Sequence, residues 1–103
     1  MSKGKADLQD IISQKVRLGI LSILAVSGKE SFGDLLGQLD VTDGNLSSHL
    51  KMLSKHSLIK IKKSFENNRP KTDVEVTGKG RREFEKYLDS MESLIKRHRL
   101  DEG

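Results

Sequence analysis

The apolar positions of this chain change period along its length, and the changes divide it into elements. Leu8, Ile11 and Ile12 recur at helical spacing behind Asp7, a capping residue type, which predicts an N-terminal helix over 7–13. From Gln14 to Val26, the residues Val16, Leu18, Ile20, Leu21, Ile23, Leu24 and Val26 surround most of a helix, as in a buried central element, and Ser27-Gly28 stops it. Ser31, with Asp34 three residues on, has the form of a capping box opening a short helix that turns Phe32, Leu35, Leu36 and Leu39 inward. Asp40-Val41 makes a turn. Thr42 then caps a second helix, and Val41 and Leu46 are spaced to close as a hydrophobic staple. Two capped helices joined by so short a turn form a helix-turn-helix pattern.

Past Lys55-His56-Ser57 the period becomes two: Ile59 and Ile61 alternate with Lys60 and Lys62, and Val74 and Val76 repeat the alternation. The segment 64–71 between them holds Asn67-Asn68 and the one proline, Pro70, and predicts the loop of a β-hairpin. Lys60 and Lys62 then face Asp73 and Glu75 across the pair. Thr77-Gly78-Lys79-Gly80 leads into a last helix, 78–99, with Phe84, Tyr87, Leu88, Met91, Leu94 and Ile95 on a heptad-like seam. Lys96, Arg97 and Arg99 follow near its C-terminus, where cations suit the helix dipole. The expected fold is mainly α with a small β-hairpin (α+β), as one domain over 1–103: an N-terminal helix, a helix-turn-helix with hairpin over 14–76, and the C-terminal helix.

The helix after Thr42 carries the chemistry. With Leu46 as zero and about 100° per residue, Leu50 and Leu53 fall within about 40° of it and define a buried stripe. Gly44, Ser47, Ser48, Lys51 and Lys55 lie opposite: a close-approach glycine, two hydroxyls able to pair with bases or phosphates, and two cations for a phosphate backbone. Asn45 lies to one side, and its amide suits either a bidentate contact to adenine or a local cap. His49 lies about 60° from the leucine stripe, the position of a residue that packs or bonds at the edge of the core. Such a helix keeps bulk off its leading face and is anchored from behind by leucines, as a major-groove reader must be.

Composition narrows the alternatives. The 103 residues are 34% hydrophobic and 33% charged, enough for a modest core under a charged surface. The formal charge of +4 leans toward a polyanionic partner, although 15 acidic residues exclude a simple polycationic tail. Only 4% are aromatic, without Trp, so no stacking platform for single strands is evident. There is no Cys, which excludes thiol redox chemistry, disulfides and thiolate metal sites and fits a reducing cytoplasm, with the nucleoid as the expected location. The longest apolar run, Leu18 to Val26, is too short to span a bilayer, and Met1 to Lys5 leads into no signal-type apolar region. His56 and His98 have no partners at metal-ligand spacing, and Met52 and Met91 read as packing residues, so neither a metal nor a cofactor is expected. No Ser-His-acid set or glycine-rich phosphate motif stands out, which points away from an enzyme; Gly78-Lys79-Gly80 reads as a helix-start turn.

Taken together, Val41 to Leu53, Lys62-Lys63-Ser64-Phe65, Arg69-Pro70-Lys71-Thr72 and Val76-Thr77-Gly78-Lys79-Gly80-Arg81 resemble the short winged-helix transcription regulators near the MarR and ArsR families, over nearly the full chain. The resemblance implies a winged helix-turn-helix in which the helix opening at Thr42-Asp43-Gly44-Asn45-Leu46 enters the major groove and the hairpin wing lies on the backbone or adjacent minor groove. It makes Gly44, Asn45, Ser47, Ser48 and Lys51 groove candidates, with Thr42 and Lys55 at the two ends of the helix, and Arg69 and Lys71 wing contacts. It also implies a homodimer joined through terminal helices, matching the seams Leu8, Ile11, Ile12 and Phe84, Tyr87, Leu88, Met91, Leu94, Ile95. Two departures stand out. Asp43 occupies a first-turn position where relatives often carry proline, and its carboxylate suits a helix N-terminus but repels phosphate. The cysteine clusters of metal-sensing ArsR-type proteins are missing. The expected function is sequence-preferring binding of double-stranded DNA by a homodimeric regulator. A winged-helix protein-interaction module and a non-specific nucleoid protein are the alternatives, and no residue pattern identifies a small-molecule effector.

Overall fold

A computed structural model of the protein describes residues 7–102. Its elements follow in the order α1 (Leu8–Ser13), α2 (Lys15–Ser27), β1 (Lys29–Ser31), α3 (Phe32–Gln38), α4 (Asp43–Lys55), β2 (Ile59–Glu66), β3 (Arg69–Val76) and α5 (Gly78–Glu102). Asp7 caps α1 by accepting from the Gln9 N–H at 2.9 Å, and α1 buries Ile11 and Ile12. Gln14, in extended conformation, breaks the chain between the first two helices while its own side chain caps α2. α2 buries Ile20, Leu21 and Leu24 completely, but its apolar girdle is not closed: Val26 is 91% exposed near the helix end. Gly28 ends α2 at φ 82°, a conformation that favours glycine, and its N–H returns to the Leu24 carbonyl.

β1 is the element that hydrophobic periodicity did not reveal. Three residues of Lys-Glu-Ser carry no apolar alternation, and they form a strand because β3 offers them an edge, pairing Lys29 with Glu75, Glu30 with Val74 and Ser31 with Asp73. The sheet order is β1-β3-β2, all antiparallel. Ser31 then caps α3 through its hydroxyl on the Asp34 N–H, and Thr42 caps α4 through its hydroxyl on the Asn45 N–H. Of the expected staple, Leu46 lies in the core and Val41, half-buried, packs against it.

The hairpin corrects the expectation of a loop over 64–71. β2 and β3 run on to Glu66 and Arg69, joined by Asn67 and Asn68 alone, both left-handed at φ 55° and 63°. Asparagine tolerates that region, and two such residues in succession make the tight turn whose twist matches paired strands. Pro70 fits because β1 covers β3 only at Asp73 to Glu75, so near the tip β3 has a single neighbour. Lys60 stands opposite Glu75 and Lys62 opposite Asp73, as the alternation implied.

One core joins all of this: Ile11, Ile12, Ile20, Leu21, Leu24, Leu35, Leu46, Leu50, Leu53, Leu58, Ile59, Val74 and Phe84. α5 is rooted where α4 ends. The Thr77 hydroxyl donates to the Ser57 carbonyl and accepts from the Gly80 N–H, and the Thr77 N–H donates to the Leu58 carbonyl. A Cβ on Gly80 would fall on the Leu58 carbonyl oxygen, so this glycine permits backbone contact between α5 and the start of the wing. From that root α5 reaches Glu102, beyond the expected end at residue 99.

A polar strut backs α4. The Arg17 Nε donates to the Ile11 carbonyl at 2.7 Å and its Nη1 lies 3.0 Å from His49 Nδ1, so α1, α2 and α4 meet on one guanidinium. Because arginine only donates, His49 accepts through an unprotonated Nδ1. Burial, reinforced by the Arg17 charge, lowers the His49 pKa below the ordinary 6.5.

Two outcomes follow. Gly80→Ala lowers folding stability by about 1–3 kcal/mol, whereas Gly78→Ala, whose Cβ meets only an arginine tip at 3.4 Å, does not; equal denaturation midpoints for the two variants would refute the contact. His49 binds its proton more tightly in the unfolded chain than in the fold, so its contribution is intact above the ordinary histidine pKa and is lost as pH falls toward the depressed native one. Between about pH 7.5 and about pH 5.5 the thermal midpoint of the wild type drops further than that of His49→Gln, which keeps an acceptor for Arg17 without titrating; parallel curves would refute the strut's role.

Candidate nucleic-acid interface

α4 is amphipathic in the sense its residues require. Leu46, Leu50 and Leu53 are at most 3% exposed. Thr42, Gly44, Asn45, Ser48, Lys51 and Lys55 are exposed, and Ser47 is half-buried. The hydroxyl of Thr42 is occupied by its cap, and the cap uses the backbone N–H of Asn45. The Asn45 amide makes no hydrogen bond among the described residues, which leaves it available to a partner. Gly44 has open space around a built Cβ, so nothing in the protomer requires a glycine there, although glycine costs a helix about 1 kcal/mol relative to alanine. The first turn of α4 is thus weakened at the point where the helix is least covered.

The wing places its side chains on two faces, and the division departs from the sequence reading. Ile61, Lys63 and Phe65 share one face with their cross-strand partners Val74, Thr72 and Pro70. Lys63, Ile61 and Thr72 line a cleft of 280 Å³ with Ser47 and Lys51 of α4, so this wing face is the one turned toward the exposed side of α4. Arg69 and Lys71, the expected wing contacts, lie on the other face with Ser64 and Glu66. Lys71 is moreover engaged: its Nζ is 3.2 Å from Glu66 Oε1, and that hydrogen bond, helped by the charge of Asp73, raises its pKa. The sequence pattern did not single out Lys63 and Phe65, although the period-two alternation continued from Ile61 places both on this face.

The terminal helices divide into a part packed within the protomer and a part that projects from it. Ile11 and Phe84 are 7% exposed and Ile12 is fully buried within the protomer, and Leu8 and Tyr87 pack on the same core. The Gln9 side chain clamps α1 to α5 by donating to the Glu83 carbonyl and carboxylate, while the Lys86 ammonium holds that carboxyl below the usual carboxylate range. These residues close the protomer. What projects is α5 beyond Tyr87, where Leu88, Leu94 and Ile95 are 43%, 51% and 48% exposed, with Leu100 at 79% added by the longer helix and Met91 half-buried. The protein extends 59 × 34 × 25 Å with a radius of gyration of 15.8 Å, against about 13 Å for a compact chain of this length.

No group of three or more metal-ligating side chains occurs among the described residues, and none of the described helices is long and apolar enough to cross a membrane. Residues 16–95, from α2 to the middle of α5, match the family model of the winged helix DNA-binding domain. The chain is 37% identical over 86 residues to an uncharacterised protein of Methanocaldococcus jannaschii, covering 84% of this chain and 94% of that one. Among solved structures it is similar to the transcriptional regulator homologue from Pyrococcus horikoshii, with 37% identity, a TM-score of 0.80, and coverage of 84% of this chain and 86% of that one. A MarR-family regulator from Enterococcus faecalis shares the fold at 20% identity and a TM-score of 0.75, over 99% and 97% of the two chains. With α3 and α4 as the helix-turn-helix, β2 and β3 as the wing and the family match spanning both, the chain belongs to the winged-helix DNA-binding family and has the fold of its transcriptional regulators.

Proposed function

We propose that the protein is a homodimeric transcriptional regulator that binds double-stranded DNA with sequence preference, α4 entering the major groove and the wing following the backbone or adjacent minor groove. One observation carries the reading: the small polar face of α4 and the Lys63 face of the wing border the same cleft, so both address one ligand from one side. Asn45, Ser47 and Ser48 supply base-edge donors and acceptors, and Lys51, Lys55 and Lys63 supply cations for phosphates. Arg69, at the wing tip, reaches the backbone from the opposite wing face, while Lys71 contributes less because Glu66 engages it.

The dimer is assigned to the distal part of α5. Leu88, Leu94 and Ile95, with half-buried Met91 between them, expose an apolar stripe on a helix that has left its own core, and a second copy of the same helix covers such a stripe symmetrically. Two reading helices then address half-sites about 34 Å apart.

Fragments selected from random duplex DNA by the purified protein test the reading. The selected sites are near-palindromes, and log affinity falls steeply with log salt, in proportion to the phosphates neutralised. Asn45→Ala costs about 1–3 kcal/mol on the selected site and little on random duplex, whereas Lys63→Ala weakens both and reduces the salt slope by about one. A flat slope overturns the proposal; equal affinity for selected and random duplex leaves a non-specific nucleoid protein, and absence of duplex binding leaves a protein-docking module.

Sedimentation tests the dimer separately. Ile95→Asp, at an exposed position, converts the wild-type dimer to a folded monomer with unchanged circular dichroism; a monomeric wild type would remove the homodimer from the reading.

A further inference from the structure

Phe65 has no role in the protomer. It is 77% exposed, whereas the other aromatic residues, Phe32, Phe84 and Tyr87, all belong to or pack against the core. Its cross-strand partner Pro70 is also exposed, so the wing ends in a small apolar pair just before the Asn67-Asn68 turn. That pair continues the face of Ile61 and Lys63, the face turned toward α4, beyond the point where the core stops covering it.

We propose that Phe65, backed by Pro70, is an apolar contact of the wing that packs against the deoxyribose walls of a duplex minor groove beside the segment read by α4. The inference deepens the DNA-binding reading and rests on it. Charge selects this occupant over a protein surface. Lys63 shares the face of Phe65, and Lys51 of α4 borders the cleft onto which that face opens, while Lys62, Arg69 and Lys71 lie on the opposite face of the same two-stranded ribbon. An exposed ring in line with Lys63 and facing Lys51 is unlike the lysine-depleted centre of a protein interface. It fits a ligand whose outer surface is phosphate and whose groove wall is C–H, and minor-groove proteins use apolar side chains in this way. The tight asparagine turn keeps the tip narrow, because no longer loop stands between the ring and the groove.

The contact is apolar, so it separates experimentally from the cations around it. On the site selected by the wild type, Phe65→Ala lowers affinity by about ten-fold with an unchanged salt slope, whereas Lys63→Ala reduces the slope. Hydroxyl-radical footprinting, which reads deoxyribose accessibility in the minor groove, shows a protected patch flanking the α4 segment that disappears with Phe65→Ala and is largely retained with Phe65→Leu. The residue is exposed, so the variant's thermal midpoint stays at the wild-type value. Phe65→Ala binding within two-fold of wild type, or an unchanged footprint, overturns this inference while leaving the DNA-binding reading standing. A change in the oligomeric state of the DNA-free variant also overturns it, by making Phe65 a contact between copies. Failure of the wild type to bind any duplex overturns both readings together.

Discussion

The structure depends on a single constraint: α4 must be held by one face only. Leu46, Leu50 and Leu53 sink into the core formed by α2, α3 and the sheet, and each buried leucine contributes about 1.5–3 kcal/mol. Everything on the far side is thereby relieved of any structural duty. That is why the exposed turn tolerates Gly44, which weakens the helix, and Asn45, whose amide is left without an internal partner. The Arg17–His49 contact completes the anchor at the edge of the leucine stripe, where packing alone would let the helix roll.

The sequence was legible wherever periodicity and capping agreed. Asp7, Ser31 and Thr42 all cap the helices their positions announced, and the cross-strand partners of Lys60 and Lys62 follow from alternation alone. Where only one signal was present, the reading was incomplete. β1 lacks an apolar pattern because a three-residue edge strand draws its stability from the ladder with β3. Pro70 and the two asparagines are all loop-forming residue types and predict a longer loop, but only the asparagines turn the chain, and Pro70 sits paired in the strand.

The candidate site shows a different limit. Helical arithmetic placed the α4 residues correctly because a helix face is a local property. The wing faces depend on register, which a shift of one residue inverts, so a resemblance that marks Arg69 and Lys71 as wing residues does not say which face they share, and Lys63 and Phe65 come into view only with the register. The terminal seams were legible as apolar stripes but not as to what covers them. Ile11, Ile12 and Phe84 look no different in sequence from Leu94 and Ile95, and only the packing of α1 against the root of α5 separates core from free surface.

The corner where Ser57, Leu58, Thr77 and Gly80 interlock carries a consequence for how such a regulator changes over time. α4 ends, the wing begins and α5 departs within this one backbone cluster. On the proposed dimer, the letters read by α4 can be rewritten by surface substitutions that cost the fold little. The distance between the two words is set instead by a backbone junction whose contact at Gly80 leaves no room for a side chain. Relatives would then diverge readily in vocabulary while keeping a common spacing.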